Sequence, residues 1–387
     1  MVEGEIKDGK QGMRSAPITV SNLMKVPFYL ARGIRYHATG RIYTPKPVYL
    51  NLRVTQRCNS KCVMCSDWKS QNSSSELTVA QIGEALRNPL FSSVEKFALS
   101  GGEPMVREEL VQIAEAALDS CPRINEMLLL TNGLEPDLVM KRTRELLALH
   151  NRYGLKKFAV SVSIDGYGGV HEKIRRVPQA FERVSETIKR LKELQRDTPF
   201  YMGLVCVIQP LNVSDLVRLS DFVKELGLPI TFVPVYAGDH FVKDPREQDA
   251  LRFTAEQLDE LKLIFKQRIE SRLMPADVPF WREYFAIVDG QKRKMPCFLC
   301  YHYARLDSDG NLYSCYIDSS SVYGSVLDTP PDRLWFSEKT KKTRKRIERD
   351  FCPRCTIHCD MAYSFSQEFF YYAKFLLKEK SGELFRM

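Results

Sequence analysis

Three cysteines fall within one stretch of eight residues, the segment CNSKCVMC from Cys58 to Cys65. Three residues separate Cys58 from Cys62, and two separate Cys62 from Cys65, with no fourth cysteine nearby. Structural zinc sites normally close with four protein ligands, so three donors suggest a metal centre with an open position. Each iron of a four-iron four-sulfur cluster takes one external donor. The spacing therefore predicts a cluster in which one iron is left for another ligand.

A second group of thiols occupies the last quarter of the chain. Its segments CFLC and CPRCTIHC each contain cysteines two residues apart, a spacing that is also common among structural zinc sites. His358, beside Cys359, would supply a nitrogen donor to such a site. A zinc ribbon and an iron–sulfur cluster are therefore both open for this group, whose members are Cys297, Cys300, Cys315, Cys352, Cys355 and Cys359.

Short apolar segments alternate with amphipathic helical patterns over most of the first 270 residues. This alternation predicts an α/β protein with a parallel sheet that is either doubly wound or curled into an incomplete barrel. In both folds ligands gather at the carboxyl ends of the strands. The predicted strands are Val48–Val54, Lys96–Ser100, Glu126–Thr131, Phe158–Ile164, Tyr201–Ile208 and Ile230–Val235.

The unusual residues of the sequence fall at the ends of these strands. The cysteines at 58–65 follow the first strand directly, and SGGEP at 100–104 ends the second. TNG at 131–133 ends the third strand, and SIDG at 163–166 ends the fourth. Because parallel strands end at one edge of a sheet, we expect these four segments to converge there.

Residues that start and end helices support this alternation. Asn212 is predicted to cap a helix that Gly227 ends, and Thr254 with Gln257 forms a capping-box pattern. Beyond about residue 274 the alternation stops, and DSDGNLY before Cys315 predicts a hairpin turn. We therefore expect an N-terminal extension over residues 1–46, a barrel over 47–273 and a cysteine-rich region over 274–387.

Composition restricts the class of protein further. The 387 residues are 44% hydrophobic and 27% charged, as in an ordinary globular protein with a sizeable core. No run of about 18 apolar residues is present and the first thirty residues lack a signal-peptide core, so a cytoplasmic location is expected. A reducing cytosol favours metal ligation over disulfides for the eleven cysteines. The net charge of +9 is partly concentrated at 339–349, which predicts a solvated basic helix face or a site for an anionic partner.

The cysteine spacing after the first strand resembles that of the radical S-adenosylmethionine (SAM) superfamily, and the later motifs match in the same order. The resemblance implies a partial (β/α)6 barrel of the TIM type and a four-iron four-sulfur cluster held by Cys58, Cys62 and Cys65. It also implies that SAM binds the open iron and is cleaved reductively to a 5′-deoxyadenosyl radical. A reductant such as flavodoxin or ferredoxin would be a partner.

The resemblance also implies roles for individual residues at the cofactor. GGEP resembles the element that holds the methionine amino group, with Gly101 and Gly102 allowing close approach of the backbone and Glu103 facing the ammonium. SVSIDG resembles the stretch that contacts the ribose, through Ser163 and Asp165.

Three further residues belong to this implied cofactor site. Asn132 lies on the neighbouring strand end. HEKIRR resembles a motif whose arginine, here Arg175, approaches the cofactor carboxylate, and GLVCVI resembles the strand that lies against adenine. The residue before the last cysteine is often aromatic in this superfamily, whereas here it is Met64, which alters the packing near adenine.

The C-terminal cysteines resemble the auxiliary-cluster extensions called SPASM and twitch domains. A full SPASM domain uses more cysteines and holds two clusters, so six cysteines favour one auxiliary four-iron four-sulfur cluster. An alternative is that CFLC with Cys315 resembles the three-thiol cluster of the molybdenum-cofactor cyclase, which binds substrate directly. A fully ligated twitch-like site would use Cys297, Cys315, Cys352 and Cys355, with Cys300 and Cys359 as spares.

Hydrogen abstraction from an unactivated carbon of a small metabolite, sugar-like or lipid-linked compound is the function that the resemblance implies. The alternative is a peptide- or protein-modifying maturase, of the type that acts on ribosomal peptides or sulfatases. The N-terminal region of about 46 residues is expected to be too short for the winged leader-peptide-binding domain that is common in such maturases, which favours the first function. The third alternative is a zinc-bearing protein that binds nucleic acid through its basic run.

Groups that act on the substrate are expected at strand ends. VYAGDHF after the sixth strand offers Tyr236, Asp239 and His240 as acid, base or hydrogen-atom donor. The aromatic amphipathic segments 24–43 and 363–378 are expected to cover the barrel. Their alternative is contact with a membrane surface that presents a lipid-linked substrate.

Overall fold

The structure, a computed structural model, describes residues 42–69, 76–239, 241–270, 278–295, 297, 299–315 and 319–357, together with Ala31, Ile34, Ala38 and Thr39. The chain divides into two units, Met1–Ala38 with Phe365–Met387, and Thr39–Ser364. Ala31, Ile34 and Ala38 of the first unit are helical. All features below belong to the second unit. His240, Cys359, segment 363–378 and most of segment 24–43 lie outside the described residues.

The described part of the second unit contains a nine-stranded sheet in the order β6-β5-β4-β3-β2-β1-β7-β8-β9. Strands β1 to β6 are all parallel, and each pairs with the next one along the chain. A doubly wound sheet reverses its strand order at a switch point, and this sheet does not, so the incomplete barrel is the observed fold. The strands are β1 Tyr49–Arg53, β2 Lys96–Ser100, β3 Glu126–Thr131, β4 Lys157–Ser163, β5 Tyr201–Ile208, β6 Ile230–Pro234, β7 Tyr303–Leu306, β8 Asn311–Tyr313 and β9 Gly324–Ser325.

Helices connect the parallel strands and bury apolar faces that match the sequence pattern. The six predicted strands are confirmed with ends that shift by at most one residue. Leu50, Phe97 and Leu129 are fully buried on their strands and form part of the core. The helices are α1 Val79–Leu86, α2 Leu110–Ser120, α3 Pro136–Arg152, α4 Gly169–Arg175, α5 Ala180–Asp197, α6 Leu216–Leu226, α7 Pro245–Asp249, α8 Ala255–Glu270, α9 Val278–Val288, α10 Leu299–His302, α11 Pro331–Trp335 and α12 Glu338–Asp350.

Two of the three predicted helix signals are confirmed. Gly227 ends α6 with a left-handed φ of 64°, and Thr254 and Gln257 exchange the two hydrogen bonds of a capping box at 3.1 and 3.3 Å. The prediction that Asn212 caps the helix is wrong. Its side chain makes no capping bond, because its Oδ1 accepts the amide of Gln209 at 2.8 Å, and its Nδ2 donates to the carbonyl of Asp165 at 2.7 Å.

The C-terminal region extends the same sheet. Strand β7 pairs in parallel with β1, and β7 and β8 form the predicted hairpin around Gly310, whose φ is 88°. The sheet thus continues past residue 274, and a separate region beginning there stays a prediction. The basic run forms α12, with Arg344 buried on its inner face. Within the described residues, no helix is both long and apolar enough to cross a bilayer.

Candidate functional site

The thiol loop, which we define as residues 58–65, leaves the carboxyl end of β1. Cys62 is buried, Cys58 and Cys65 are half-buried, and all three are free thiols. Burial raises the pKa of Cys58 to about 12 and also raises the pKa of Cys65. These two thiols are therefore protonated at neutral pH until a cation lowers their pKa, as a coordinated metal ion does.

Backbone hydrogen bonds hold this loop against α4 and against the segment after β6. The amide of Lys61 donates to the carbonyl of Arg175 at 3.1 Å, and the Ser60 hydroxyl donates to the same carbonyl at 3.0 Å. Just after the loop, the amide of Ser66 donates to the carbonyl of Phe241 at 2.7 Å. Segments far apart in sequence therefore set the position of the three thiols.

Gly101 and Gly102 bring the end of β2 against the backbone that precedes the thiol loop. The amide of Gly102 donates to the carbonyl of Thr55 at 2.8 Å. A Cβ atom on Gly101 would lie 2.4 Å from that carbonyl oxygen, and one on Gly102 would lie 2.2 Å from the carbonyl oxygen of Arg57. The sequence predicted close backbone approach at these glycines, and in the structure the approach is to the chain leading into the thiol loop.

Glu103 is buried beneath the ends of β2 and β3. Its carboxylate accepts hydrogen bonds from the Thr131 hydroxyl at 2.8 Å and from the amides of Asn132 at 2.7 Å and Met105 at 3.3 Å. Burial raises the pKa of Glu103 to about 7, although these donors and Arg175 oppose the shift. A second cation beside this carboxyl would stabilise its ionised form, as the ammonium group that the sequence motif implies would do.

Asn132 links this carboxylate to the thiol loop. Its backbone amide donates to Glu103, while its side-chain Nδ2 donates to Asn59 Oδ1 at 2.7 Å. The same nitrogen lies 3.9 Å from Cys58 Sγ. The sequence motifs after β1, β2 and β3 therefore meet at one edge of the sheet, as predicted.

Arg175 places a buried positive charge beside the thiol loop. Its Nη2 lies 2.6 Å from Asp165 Oδ2, and its Nη1 donates to Cys62 Sγ at 3.6 Å. Burial opposes the charge, but Asp165 and the thiols outweigh burial and raise the pKa of Arg175. Asp165 is itself fully buried, and it also accepts the Val207 amide at 2.8 Å. The carboxylate of Asp165 is thus occupied within the protein, and its contact with a ribose stays a prediction.

Residues that the sequence motifs did not single out complete this side of the site. Gln209, directly after β5, is fully buried and its Nε2 donates to Met64 Sδ at 3.7 Å, while its Oε1 is buried without a hydrogen-bond partner. His171 is fully buried, and its Nδ1 accepts the amide of Asp165 at 3.0 Å. Ser163, which the SVSIDG motif did identify, ends β4 and is half-buried. A polar residue directly after a buried strand was the signal that would have identified Gln209.

The segment after β6 contacts both groups of thiols. Ala237 and Phe241 pack against the buried cluster around Cys62 and Met64, whereas Tyr236 packs against the buried cluster that contains the C-terminal thiols. Gly238 is required beside Tyr236, because a Cβ atom there would lie 2.2 Å from the ring. Asp239 is exposed and His240 lies outside the described residues. The catalytic roles of Tyr236, Asp239 and His240 stay predictions.

Five of the six C-terminal thiols share one cluster, which we call the C-terminal thiol cluster. They come from four segments: the chain two residues before α10, α10 itself, the chain after β8 and the chain after α12. Tyr301, Tyr303 and Phe351 pack around them. The five are Cys297, Cys300, Cys315, Cys352 and Cys355.

The thiols of this cluster interact directly. A hydrogen bond between Cys300 and Cys315 lowers the pKa of Cys300 and raises the pKa of Cys315. Burial raises the pKa of Cys355, which Arg293 opposes through its charge and a hydrogen bond. Cys300, which the spacing left as a spare, therefore lies among the other four. Which of them ligate stays a prediction.

Both thiol groups suit iron–sulfur clusters in their donor chemistry. Within the described ranges, no three potential ligands lie close enough together to hold one metal ion. In a four-iron four-sulfur cluster each thiolate bonds a different iron, so the cluster spaces its ligands more widely than one ion does. Partly exposed thiols beside Arg175 fit such a cluster in the first group, and five thiols from four segments fit one in the second.

Comparison with known proteins shows which family and which relatives this chain is similar to. A model of the radical SAM superfamily matches residues 52–223, which include the thiol loop and strands β2 to β5. The pre-heme d1 synthase of Dinoroseobacter shibae is 26% identical over 316 residues, covering 76% of this chain and 74% of that protein. The GTP 3′,8-cyclase of Aquifex aeolicus is 27% identical over 307 residues, covering 76% of this chain and 89% of that protein.

Solved structures share the fold at low sequence identity. The protein anSMEcpe with bound AdoMet superposes with a TM-score of 0.57 and 16% identity, covering 88% of this chain and 98% of that one. Streptococcus suis SuiB bound to its precursor peptide SuiA superposes with a TM-score of 0.55 and 12% identity, covering 88% of this chain and 74% of SuiB. Enzymes of the matched family use a four-iron four-sulfur cluster and SAM. Residues 52–223, which contain the thiol loop, therefore match the radical SAM superfamily.

Proposed function

We propose that this enzyme takes a hydrogen atom from an unactivated carbon of a small metabolite. Cys58, Cys62 and Cys65 would hold a four-iron four-sulfur cluster whose fourth iron binds SAM. When bound, such a cluster supplies the electron that cleaves SAM to methionine and a 5′-deoxyadenosyl radical. The observation that carries the proposal is a loop with three thiols and no fourth, at the carboxyl edge of a parallel sheet.

The surrounding residues would bind and orient SAM. Glu103, with its pKa raised by burial, would accept a hydrogen bond from the methionine amino group. Arg175 would attract the methionine carboxylate and offset the negative charge of the thiolates. Ser163 at the end of β4 would face the ribose, and Met64 with Gln209 would line the adenine side. The apolar cluster around Cys62 and Met64 would keep water from this side of the cofactor.

The C-terminal thiol cluster would hold an auxiliary four-iron four-sulfur cluster. Its five described thiols exceed the four that one such cluster needs, and Cys359 is a sixth candidate. The segment after β6 supports a joint role, because Tyr236 packs against the C-terminal thiols while its neighbours pack against the thiol loop. A substrate that binds against the segment after β6 would lie between the thiol loop and the C-terminal thiol cluster.

A small metabolite is favoured over a peptide by the relatives. The pre-heme d1 synthase and the GTP 3′,8-cyclase are named for small molecules, and each aligns with 76% of this chain. The second candidate, a peptide- or protein-modifying maturase, is supported by the fold it shares with anSMEcpe and with SuiB, whose structures contain peptides. Those structures are only 17% and 12% identical to this chain.

The first experiment is anaerobic reconstitution with iron and sulfide, followed by iron counting and an assay for 5′-deoxyadenosine. We expect about eight irons per chain and reductant-dependent formation of 5′-deoxyadenosine. A reconstituted protein that holds a four-iron four-sulfur cluster but shows no spectral change with SAM would contradict the proposal. About four irons would contradict the auxiliary cluster alone.

A second experiment distinguishes the substrate classes. The reduced enzyme is incubated with deuterated cell extract that has been separated into fractions below and above about 1 kDa, a size chosen to separate metabolites from most peptides. Deuterium in 5′-deoxyadenosine from the low-mass fraction is expected. Deuterium only from the high-mass fraction would support the maturase.

A further inference from the structure

A cavity of about 440 Å³ lies outside the two thiol groups. Its volume falls in the range of sites for small molecules. One wall comes from the segment before β1, and the other walls come from α10, the residue after α11, and α12. The lining residues are Ile42, Tyr43, Thr44, Tyr301, Phe336, Lys341, Arg344 and Lys345.

The floor of this cavity is a buried guanidinium. Arg344 is 1% exposed, and its Nε and Nη1 donate to the carbonyls of Cys300 and Trp335, both at 2.9 Å. The guanidinium carbon also lies 4.5 Å from the ring centre of Trp335 and 5.4 Å from that of Tyr301. These contacts fix the cation rigidly without neutralising it, because carbonyls and rings carry only partial charge.

Glu348, one helical turn along α12 from Arg344, accepts a hydrogen bond from the Tyr301 hydroxyl at 2.6 Å and forms no described ion pair with Arg344. Arg344 makes no ion pair with a described acidic residue, and its Nη2 is buried without a hydrogen-bond partner. A buried charge without a counter-charge is costly, so an anion in the adjoining cavity would be stabilised.

Two lysines of α12 add to the positive charge at the cavity. Lys345 is exposed and has no ion-pair partner among the described residues, whereas Lys341 pairs with exposed Glu338 at 2.6 Å. The hydrogen bond from Lys341, followed by the charges of Lys341, Lys342 and Lys345, lowers the pKa of Glu338. The cavity therefore has a positive field at its rim as well as at its floor.

The remaining lining is aromatic and partly exposed. Phe336 is 37% exposed and Tyr43 is 38% exposed, and both border the cavity. The wall that contains Tyr43 is anchored by Trp335, whose Nε1 donates to the carbonyl of Pro45 at 2.9 Å. Cations beside accessible rings suit a ligand that combines a compact anion with a flat apolar group.

We propose that this cavity binds a small phosphate ester with a planar ring. The phosphate would lie between Lys345, Lys341 and the positive floor, and the ring would pack against Phe336 and Tyr43. A dianion is favoured over a monoanion because three cations line the cavity and, among the described residues, only Lys341 has a carboxylate partner. The site is independent of SAM cleavage, so it can be tested whether or not the proposed function holds.

The test is calorimetric titration of the full reconstituted chain with phenyl phosphate as the probe. We expect saturable binding that is tighter than that of phenol or of inorganic phosphate and that weakens as salt increases. Lys345→Glu should weaken binding by about fivefold or more, from the loss and reversal of one rim charge. Lys342→Glu is the matched control, because Lys342 is exposed on the same helix and does not line the cavity.

A second variant tests the aromatic wall. Phe336→Ala should weaken phenyl phosphate by about threefold while leaving inorganic phosphate within experimental error. Absence of phenyl phosphate binding, or equal loss in the Lys345 and Lys342 variants, would overturn the proposal. Binding to vesicles that contain phosphatidic acid without binding to phenyl phosphate would overturn the assignment to a soluble ligand.

Discussion

The thiol loop and the C-terminal thiol cluster both contain cysteine thiols, but they differ in how far apart the cysteines lie in sequence and in the side chains around them. The three cysteines of the loop lie within eight residues and face polar side chains, among them Asn132 and Arg175. The C-terminal thiols come from four segments and pack among tyrosines and phenylalanine. Two of the three loop thiols, Cys58 and Cys65, are half-buried, and so are Cys297 and Cys352 among the five C-terminal thiols.

This difference indicates whether each site can bind an external ligand on its metal centre. A half-buried loop beside a buried cation leaves room for an external ligand on the metal centre, as SAM requires. The C-terminal thiols lie among aromatic rings and number more than four. They can therefore supply all four ligands of a cluster, with no external ligand. We therefore expect the first site to bind a cofactor and the second to retain a fully protein-ligated cluster.

The largest expected effects, on 5′-deoxyadenosine formation and on iron content, come from replacing one thiol in each site. Cys62→Ala should abolish formation of 5′-deoxyadenosine, because the cluster that binds SAM loses a ligand. Cys315→Ala should lower the iron content by about half while 5′-deoxyadenosine still forms, because Cys315 interacts with Cys300, Cys297 and Cys355 and is therefore expected to be a ligand. Iron counting and chromatography of the products measure both.

Cys121→Ala is the control for these variants, because Cys121 is a buried free thiol that belongs to neither group. It should retain both iron and activity. Loss of 5′-deoxyadenosine in the Cys315 variant at full iron content would remove the distinction between the sites.

The next effect concerns the buried ion pair beside the loop. Arg175→Met should lower the free energy of unfolding by about 3–5 kcal/mol, because it leaves Asp165 buried without its partner. Urea denaturation measures the change. Arg252→Met is the control, since Arg252 and Asp249 form an exposed pair that should contribute less than about 1 kcal/mol. If adding Asp165→Asn to Arg175→Met recovered none of the loss, the pair would not be its cause.

A smaller effect is expected from the glycines that position the loop. Gly102→Ala should slow SAM cleavage about a hundredfold, because its Cβ atom would displace the backbone at Arg57 and shift the thiols. Gly169→Ala is the control, because a Cβ atom there meets nothing within 4 Å. A Gly102 variant with normal cleavage would show that the loop tolerates displacement, unlike the tightly packed C-terminal cluster.

The smallest effect is a pH dependence at Glu103, the buried carboxyl that Asn132 links to the thiol loop. The folded pKa of about 7 exceeds the ordinary value of 4.5, so the folded state binds the proton more tightly than the unfolded state. The stability contributed by Glu103 is therefore full below pH 4.5 and is lost as the pH rises to about 7.

Glu103→Gln removes this titration. The free energy of unfolding of the wild type, relative to the variant, should fall by about 1 kcal/mol per pH unit between pH 5 and pH 7. Urea denaturation of both proteins over this range measures the slope. Parallel curves for the two proteins would show that Glu103 is ionised throughout.

The sequence predicted the first site better than the second for a physical reason. The cysteine triplet and the motif GGEP are local, and parallel strands must end at one edge, so their convergence followed from the strand pattern. The contacts of Asn212 and Gln209 did not follow, because each joins elements that only the folded sheet brings together. The cysteine spacing predicted Cys300 to be a spare for the same reason. Cys315, with which it forms a hydrogen bond, is brought close to it only by the β7–β8 hairpin.

The pairing of β7 with β1 has a consequence for how the protein can be divided. The first barrel strand has β2 on one side and a strand from the cysteine-rich region on the other. A truncated chain that stopped at residue 273 would leave the backbone amides and carbonyls of Tyr49 to Leu52 on one side as an open template for intermolecular β-pairing. Aggregation, rather than a minimal working enzyme, is the expected fate of such a fragment.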